Sequence, residues 1–267
     1  MRQVRLAFSG SGFLAPIHAG AACAFLDAGV EILEVAGTSG GSIVAALVAS
    51  GKDAATIKRI ALAPIPDNIM AVQPLGILWR WGLNDGRVLH QWLRDAIGDR
   101  TFAHATMPCT IVASDVKLQR GVVFTRMRSP DLPLADACRM SASVPGVWKP
   151  VKWRGLTLAD GGMACNIPTD KLTQDKTPRV GIQVTDGNAP GKLDSLLDFA
   201  KGCIGTMLNS NEGNLVAWAQ QTGATILPVD AKPYGFLDSG LSLTAKTELF
   251  ERGYQAVHDL LMGQSRK

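Results

Sequence analysis

"AGTSGGS", residues 36–42, decides how this chain is read. It lies between a short apolar run, Ile32 to Ala36, and an alanine-rich helical pattern, Gly40 to Ser50. A G-x-S-x-G pattern in a strand–turn–helix context is the signature of a nucleophile elbow. The turn is crowded, so small residues are required. Gly37 and Gly41 let the backbone bend tightly around Thr38 and Gly40, and Ser39 is pushed out at the start of the helix. A Gly/Ser loop without chemistry is the alternative on local grounds.

Upstream, "FSGSGFLAPIHAG", residues 8–20, ends the first apolar run, Val4 to Phe8. Gly10-Ser11-Gly12-Phe13-Leu14-Ala15 fits G-x-G-x-x-G/A, with Glu31 at the spacing of a ribose-binding acid. The same geometry suits a nest of N–H groups facing an oxyanion, or a turn with no ligand at all. In a dinucleotide fold the second strand would end on the ribose acid, yet here it ends on Ser39. The cofactor reading weakens accordingly.

Downstream, "LADGGMACNIP", residues 158–168, places Asp160 after an apolar stretch and before Gly161-Gly162. Alone this is a turn signal. Beside a serine it gains meaning, because a buried carboxylate whose pKa rises toward neutrality can act as a general base. The histidines are His18, His90, His104 and His258. His18 falls inside the first helix, as a structural residue. His258 alone completes the chain order Ser, Asp, His of an α/β-hydrolase triad, although "AVHDLL" reads as an ordinary amphipathic helix.

Strands are expected at Val4–Phe8, Ile32–Ala36, Thr110–Ser114, Val122–Thr125, Val180–Val184 and Thr225–Val229. Helices are expected at Pro16–Ala28, Gly40–Ser50, Ala54–Leu62, Leu89–Ile97, Leu134–Cys138, Leu193–Gln221 and Lys246–Met262. The alternation implies βαβ units and a mostly parallel sheet covered on both faces. The 267 residues, 46% hydrophobic and 19% charged, suffice for a single domain over 1–267. Arg2 and Arg5 before the small residues Ala21 to Ala24 could suggest an export signal, but Gly10, Gly12, Pro16 and His18 interrupt the apolar stretch.

A net charge of +4, from 27 Lys and Arg against 23 Asp and Glu, argues against a nucleic-acid partner and is compatible with an anionic surface. Cys23, Cys109, Cys138, Cys165 and Cys203 are widely spaced and odd in number, which predicts free thiols, a reducing cytoplasmic compartment and no metal site. No stretch is long and apolar enough to span a bilayer, so membrane contact is expected to be peripheral.

Taken in order, "LAFSGSGFLAPIHAG", "GTSGGS", "SVPGVWKPV" and "LADGGMACNIP" resemble the patatin-like phospholipases, over residues 4–168. The resemblance implies a three-layer α/β/α sandwich and hydrolysis of a lipid or acyl-ester substrate without a cofactor. It makes Ser39 the nucleophile, Asp160 the base, and the N–H groups of Gly10, Ser11 and Gly12 the oxyanion hole. Two positions depart from the family pattern: Ser11 replaces a third adjacent glycine, and Leu14-Ala15 replace a cation followed by glycine. A Ser39-Asp160-His258 esterase and a catalytically silent lipid-binding protein are the competing readings. The sequence leaves the oligomeric state open.

Two further stretches stand out. Pro64 to Gly86, with Ile77, Leu78, Trp79 and Trp81, reads either as an apolar flap or as core. Lys117, Arg120, Arg126 and Arg128 are expected around a hairpin turn at Gly121, with Lys149, Lys152 and Arg154 following. They are either solvated surface charge or a partner for an anionic head group.

Overall fold

The computed structural model describes residues 1–70, 82–185, 206 and 212–264. Five strands form the parallel centre of the sheet: β1 (Gln3–Phe8), β2 (Glu31–Thr38), β4 (Cys109–Asp115), β9 (Arg179–Thr185) and β10 (Thr225–Asp230). They lie in the order β10-β9-β1-β2-β4. Antiparallel strands complete the far side: β5 (Arg120–Phe124) and β8 (Leu156–Ala159) both pair with β4, and β7 (Val151–Trp153) pairs with β8. A small second sheet joins β3 (Gly82–Asn84) to β6 (Gly146–Trp148).

Side-chain alternation divides the sheet into two faces. Leu6, Phe8 and Val35 enter the main core, whereas Ala7 and Ala36 pack on Leu172 in a separate cluster. Helices α1 (Pro16–Asp27) and α2 (Gly40–Ala49) belong to the main core, with α3 (Ala54–Leu62), α4 (Arg87–Ile97) and α5 (Leu134–Ser141) around them. Every residue of α2 is buried, which explains its run of alanine and valine without a polar face. The 3-10 turn Pro168–Lys171 leads to Leu172 on the other face. The architecture is the expected three-layer sandwich. Asp53 caps α3 by accepting a hydrogen bond from Thr56 N at 2.8 Å.

The final helix, α6 (Leu243–Gln264), crosses α1 backbone to backbone. A Cβ on Gly20 would lie 1.9 Å from Phe250 O, and one on Gly253 would lie 1.9 Å from Ile17 O. Only glycine permits that approach.

The expected strands and helices form within a few residues of their predicted ends. The short strands β3, β6 and β7 were not anticipated, because runs of three residues carry too little periodicity to read. Most of the helix expected at Leu193–Gln221 lies outside the described residues, although 212–221 is helical. Ile77, Leu78, Trp79 and Trp81 of the expected flap also lie outside them, as does Cys203. The other four cysteines are free and buried.

One topological detail positions the site. β5 pairs with Ile111–Asp115, so β2, which pairs with Cys109–Val112, and β8, which pairs with Ser114 and Asp115, must share the other edge of β4. They meet there head to head. Thr38 lies opposite Val112 and Ala159 opposite Ser114, so the residues that follow them, Ser39 and Asp160, arrive at the level of Ala113 from opposite directions.

Candidate active site

Ser39 links β2 to α2 with φ +49° and ψ −124°, a left-handed conformation costly for any residue with a Cβ. Its surroundings hold it there. Ser39 N donates to Ser141 Oγ at 2.8 Å, Ser141 Oγ donates to Val112 O at 2.5 Å, and Ser42 Oγ donates to Ser39 O at 2.6 Å. Thr38 Oγ1 donates to Cys165 O at 2.8 Å. The flanking glycines have no room for a side chain: a Cβ on Gly37 would lie 2.6 Å from Gly41 O, and one on Gly41 would lie 2.3 Å from Ser9 O.

Ser39 Oγ donates to Asp160 Oδ2 at 2.6 Å. The other carboxylate oxygen accepts from Gly162 N at 2.8 Å. The Asp160 main chain is also tied down, its N–H donating to Ser143 O at 2.9 Å and its carbonyl accepting from Ser114 Oγ at 2.7 Å. Burial raises the Asp160 pKa to about 6, against the opposing pull of the hydrogen bonds from Ser39 and Gly162. Gly161 must be glycine, because a Cβ there would lie 2.1 Å from Val112 O.

The glycine turn after β1 lies against the first residues of α2. A Cβ on Gly40 would come within 2.5 Å of both Gly12 O and Ser11 Oγ. The structure corrects one member of the expected donor set: Gly10 N donates to Asn166 O at 3.0 Å, so its N–H is already engaged. Phe13 N donates to Phe236 O at 2.9 Å, and Leu14 N to Ser11 O at 2.9 Å. The N–H groups of Ser11 and Gly12 enter none of these bonds. Ser11 Oγ is buried without a hydrogen-bond partner among the described residues.

A narrow apolar pocket, with a free volume of about 60 Å³, reaches Ser39 and Gly40. Ile43, Ile69, Leu89, Trp92, Val144 and Trp148 supply much of its wall. Its lining beside the Ser39 hydroxyl is mostly apolar.

No histidine bonds to Ser39 or Asp160. His18 is fully buried in α1, with Nε2 2.8 Å from Ser9 O and its ring edge-on to Phe8; burial lowers its pKa to about 3, so it stays neutral. His258 is exposed on α6, with Nδ1 3.7 Å from Asp259. Glu31 begins β2 and accepts from Gln3 Nε2 at 2.8 Å, at the opposite end of that strand from Ser39. It cannot meet a ligand held by the glycine turn.

Sequence reasoning missed Ser114, Ser141, Ser143, Asn166 and Arg139. All five are buried polar residues; Ser143 and Asn166 lie inside the quoted motifs, and no local motif marks Ser114, Arg139 or Ser141. Arg139 bonds to Ser143 Oγ at 2.5 Å and to the carbonyls of Gly86 and Lys149 at 3.1 Å each, which links α5 to the start of α4 and to the strand region leading to Asp160. The expected basic cluster is divided. The β4–β5 turn falls at 116–119 instead of at Gly121, and β5 then carries Arg126 and Arg128 to the other end of the sheet. There Arg126 bonds to Phe102 O and Ala105 O at 3.2 and 2.6 Å.

A mostly parallel α/β/α sandwich, with a serine at the β2–α2 turn bonded to a buried aspartate beside an apolar pocket, defines the class of α/β protein to which the chain belongs. Within that class, the chain belongs to the patatin-like phospholipase family, whose model matches residues 6–173. Membership supports a lipid acyl hydrolase. The chain is 28% identical over 251 residues to the uncharacterized protein YqhO of Bacillus subtilis, covering 84% of this chain and 86% of that one. It is 29% identical over 202 residues to the omega-hydroxyceramide transacylase of Mus musculus, covering 65% of this chain and 31% of the relative. Its fold is similar to that of VipD from Legionella pneumophila, with a TM-score of 0.61 at 12% identity, covering 98% of this chain and 67% of VipD. It is also similar to the type III effector ExoU, with a TM-score of 0.51 at 16% identity, covering all of this chain and 53% of ExoU. No described helix is long and apolar enough to cross a membrane.

Proposed function

We propose that this protein hydrolyses carboxylic esters of phospholipids or related lipids through a Ser39–Asp160 dyad. The observation that carries this reading is the 2.6 Å hydrogen bond from Ser39 Oγ to Asp160 Oδ2 beside an apolar pocket. A carboxylate with a pKa of about 6 is basic enough to receive the serine proton and acidic enough to return it near neutral pH.

In the first step Ser39 Oγ attacks the ester carbonyl while its proton passes to Asp160 Oδ2. The negative charge on the tetrahedral oxygen is met by the N–H groups of Ser11 and Gly12, together with that of Gly40 at the positive end of α2. Asp160 then protonates the departing alcohol, leaving an acyl-Ser39 ester. Water, deprotonated by Asp160, attacks that ester; the fatty acid leaves, and Ser39 recovers its proton. Backbone donors replace the cation that Leu14 lacks, and the pocket holds the acyl chain.

A fluorophosphonate probe should label Ser39, and the purified chain should turn over p-nitrophenyl acyl esters. Ser39→Ala and Asp160→Asn should abolish turnover, and His258→Ala should leave it unchanged. A label on another serine would overturn the reading, as would a fall of about two orders of magnitude on losing His258, the size expected for a general base. A catalytically silent lipid-binding protein would show neither label nor turnover.

A further inference from the structure

We propose that the β4–β5 hairpin tip and the β7–β8 turn together form a rim that docks on an anionic lipid bilayer. This inference rests on the reading of Ser39 as acting on lipid, and it adds the surface on which that lipid is met. Three observations converge on it.

The first is position. Thr38 is level with Val112, and β4 continues three residues further to Asp115 before turning. At a rise of about 3.3 Å per residue, Asp115 stands about 7 Å beyond the level of Ala113, where β2 delivers Ser39, and the turn lies beyond it. Because β8 runs antiparallel to β4, the β7–β8 turn projects in the same direction. The rim therefore rises from the active-site end of the sheet.

The second is composition. Val116 and Leu118 are 44% and 51% exposed, two of the few large apolar side chains that face solvent among the described residues. Around them Lys117, Arg120, Lys152 and Arg154 are exposed, and none makes an ion pair among the described residues. An open groove between tip and turn is lined by Val116 and Lys117 on one side and by Lys152 and Arg154 on the other. The one acid of the tip, Asp115, is buried, with Oδ1 accepting from Lys117 N and Thr157 N at 3.1 and 3.2 Å. In the adjoining recess, Asp136 is engaged by His90 at 2.7 Å and Arg94 at 3.5 Å, and Asp85 by Arg87 at 2.7 Å.

The third is a residue out of place by local rules. Arg154 and Gly155 are the two central residues of the turn, with φ of +46° and +79°. Hairpin turns of this kind favour Asn-Gly, because asparagine tolerates positive φ and arginine does not. The Arg154 guanidinium is held 4.7 Å over the Trp153 ring, which itself packs edge-on against Phe124 at 5.3 Å. The strain keeps a cation at the crest of the rim.

Cations flanking exposed aliphatic side chains match the phosphates and upper acyl region of an anionic bilayer. A nucleic acid would use the charges but leave Val116 and Leu118 in water. Among the described residues, the one aromatic ring lining the groove is Trp153, already covered by Phe124 and Arg154.

The test is flotation of the full chain, in its Ser39→Ala form so that vesicles stay intact. Vesicles of phosphatidylcholine alone are compared with vesicles containing phosphatidylglycerol. Binding should favour the anionic vesicles and fall with salt. Lys117→Gln and Arg154→Asn should each weaken it about fivefold, the effect of one basic residue near a charged membrane surface. Arg154→Asn carries special weight, because it should raise the melting temperature while lowering binding, which separates docking from misfolding. Leu118→Asp should lower binding further. Arg128→Gln, an exposed cation at the far end of β5, should leave binding unchanged. Equal binding to both vesicle types would overturn the proposal, as would an Arg128→Gln loss equal to that of Arg154→Asn. So would retention on heparin without retention on vesicles. Turnover of a soluble short-chain ester by the wild-type protein is measured in parallel: turnover without flotation defeats the rim alone, and flotation without turnover defeats the hydrolase alone.

Discussion

Ser39 Oγ and Asp160 Oδ2 lie 2.6 Å apart although 121 residues separate them in the chain. Their meeting follows from two strands that end head to head on one edge of β4, one arriving parallel and the other antiparallel. Among the described residues the Ser39 hydroxyl bonds to no other side chain, so in the proposed mechanism that carboxylate is the acceptor in place for its proton.

Activity should therefore follow the ionisation of Asp160. The base form is the carboxylate, so kcat/KM on a soluble ester should rise with pH through about 6 and level off above it. A profile whose acid limb is unchanged in a variant lacking Asp160 would contradict this.

Stability should move the opposite way. A folded-state pKa raised above the unfolded value near 4 contributes stability below pH 4, and that contribution is lost as pH rises through 6. Asp160→Asn should therefore be inactive yet gain stability relative to wild type between pH 4 and pH 7, by up to about 3 kcal/mol for a shift of about two units. Thermal melts of both proteins across that range measure the difference.

The β2–α2 turn stores strain at Ser39. Ser39→Gly and Ser39→Ala lose the same hydroxyl, but only glycine relaxes at φ +49°. The glycine variant should be the more stable of the two by about 1 kcal/mol, the strain relief less the greater entropy of glycine. Denaturant titrations of the two inactive proteins check it.

The glycine turn should be unevenly sensitive. On Gly12 a Cβ would meet backbone, 2.0 Å from Phe236 O, at φ +52°. On Gly10 it would meet the Asn166 side chain at 2.4 Å, and a side chain can shift more readily. Gly12→Ala should lose activity at least tenfold more than Gly10→Ala, because it displaces a donor N–H (about 1.4 kcal/mol per factor of ten). Equal losses would remove Gly12 from the oxyanion site.

Ser11 tests whether backbone or side chain serves the oxyanion. Its hydroxyl is buried and unpartnered among the described residues, an arrangement that costs stability. Ser11→Ala should keep activity within about threefold and leave the melting temperature equal or higher. A hundredfold loss, the size seen on removing an oxyanion donor, would assign the hydroxyl to catalysis.

The sequence by itself determined what depends on local backbone sterics. Gly37, Ser39 and Gly41 announce the elbow, Gly10 and Gly12 the turn, and the period of the apolar residues the parallel core strands and their helices. Each of these is a constraint between near neighbours, and residue type records it. Tertiary structure decided the rest, because it concerns which atoms meet across long separations. The motif "LADGG" was compatible with an ordinary turn until β8 brought Asp160 against Ser39, and β8 itself, four residues long, leaves almost no periodic trace. Gly10 was expected to donate, but its N–H had found Asn166 O, 156 positions further along the chain. A five-residue strand separated the basic residues that are adjacent in sequence, leaving Lys117 and Arg120 at one end of the sheet and Arg126 and Arg128 at the other. Hydrogen-bond partners and the end of the sheet at which a charge stands are properties of strand pairing. A single chain read in order does not contain them.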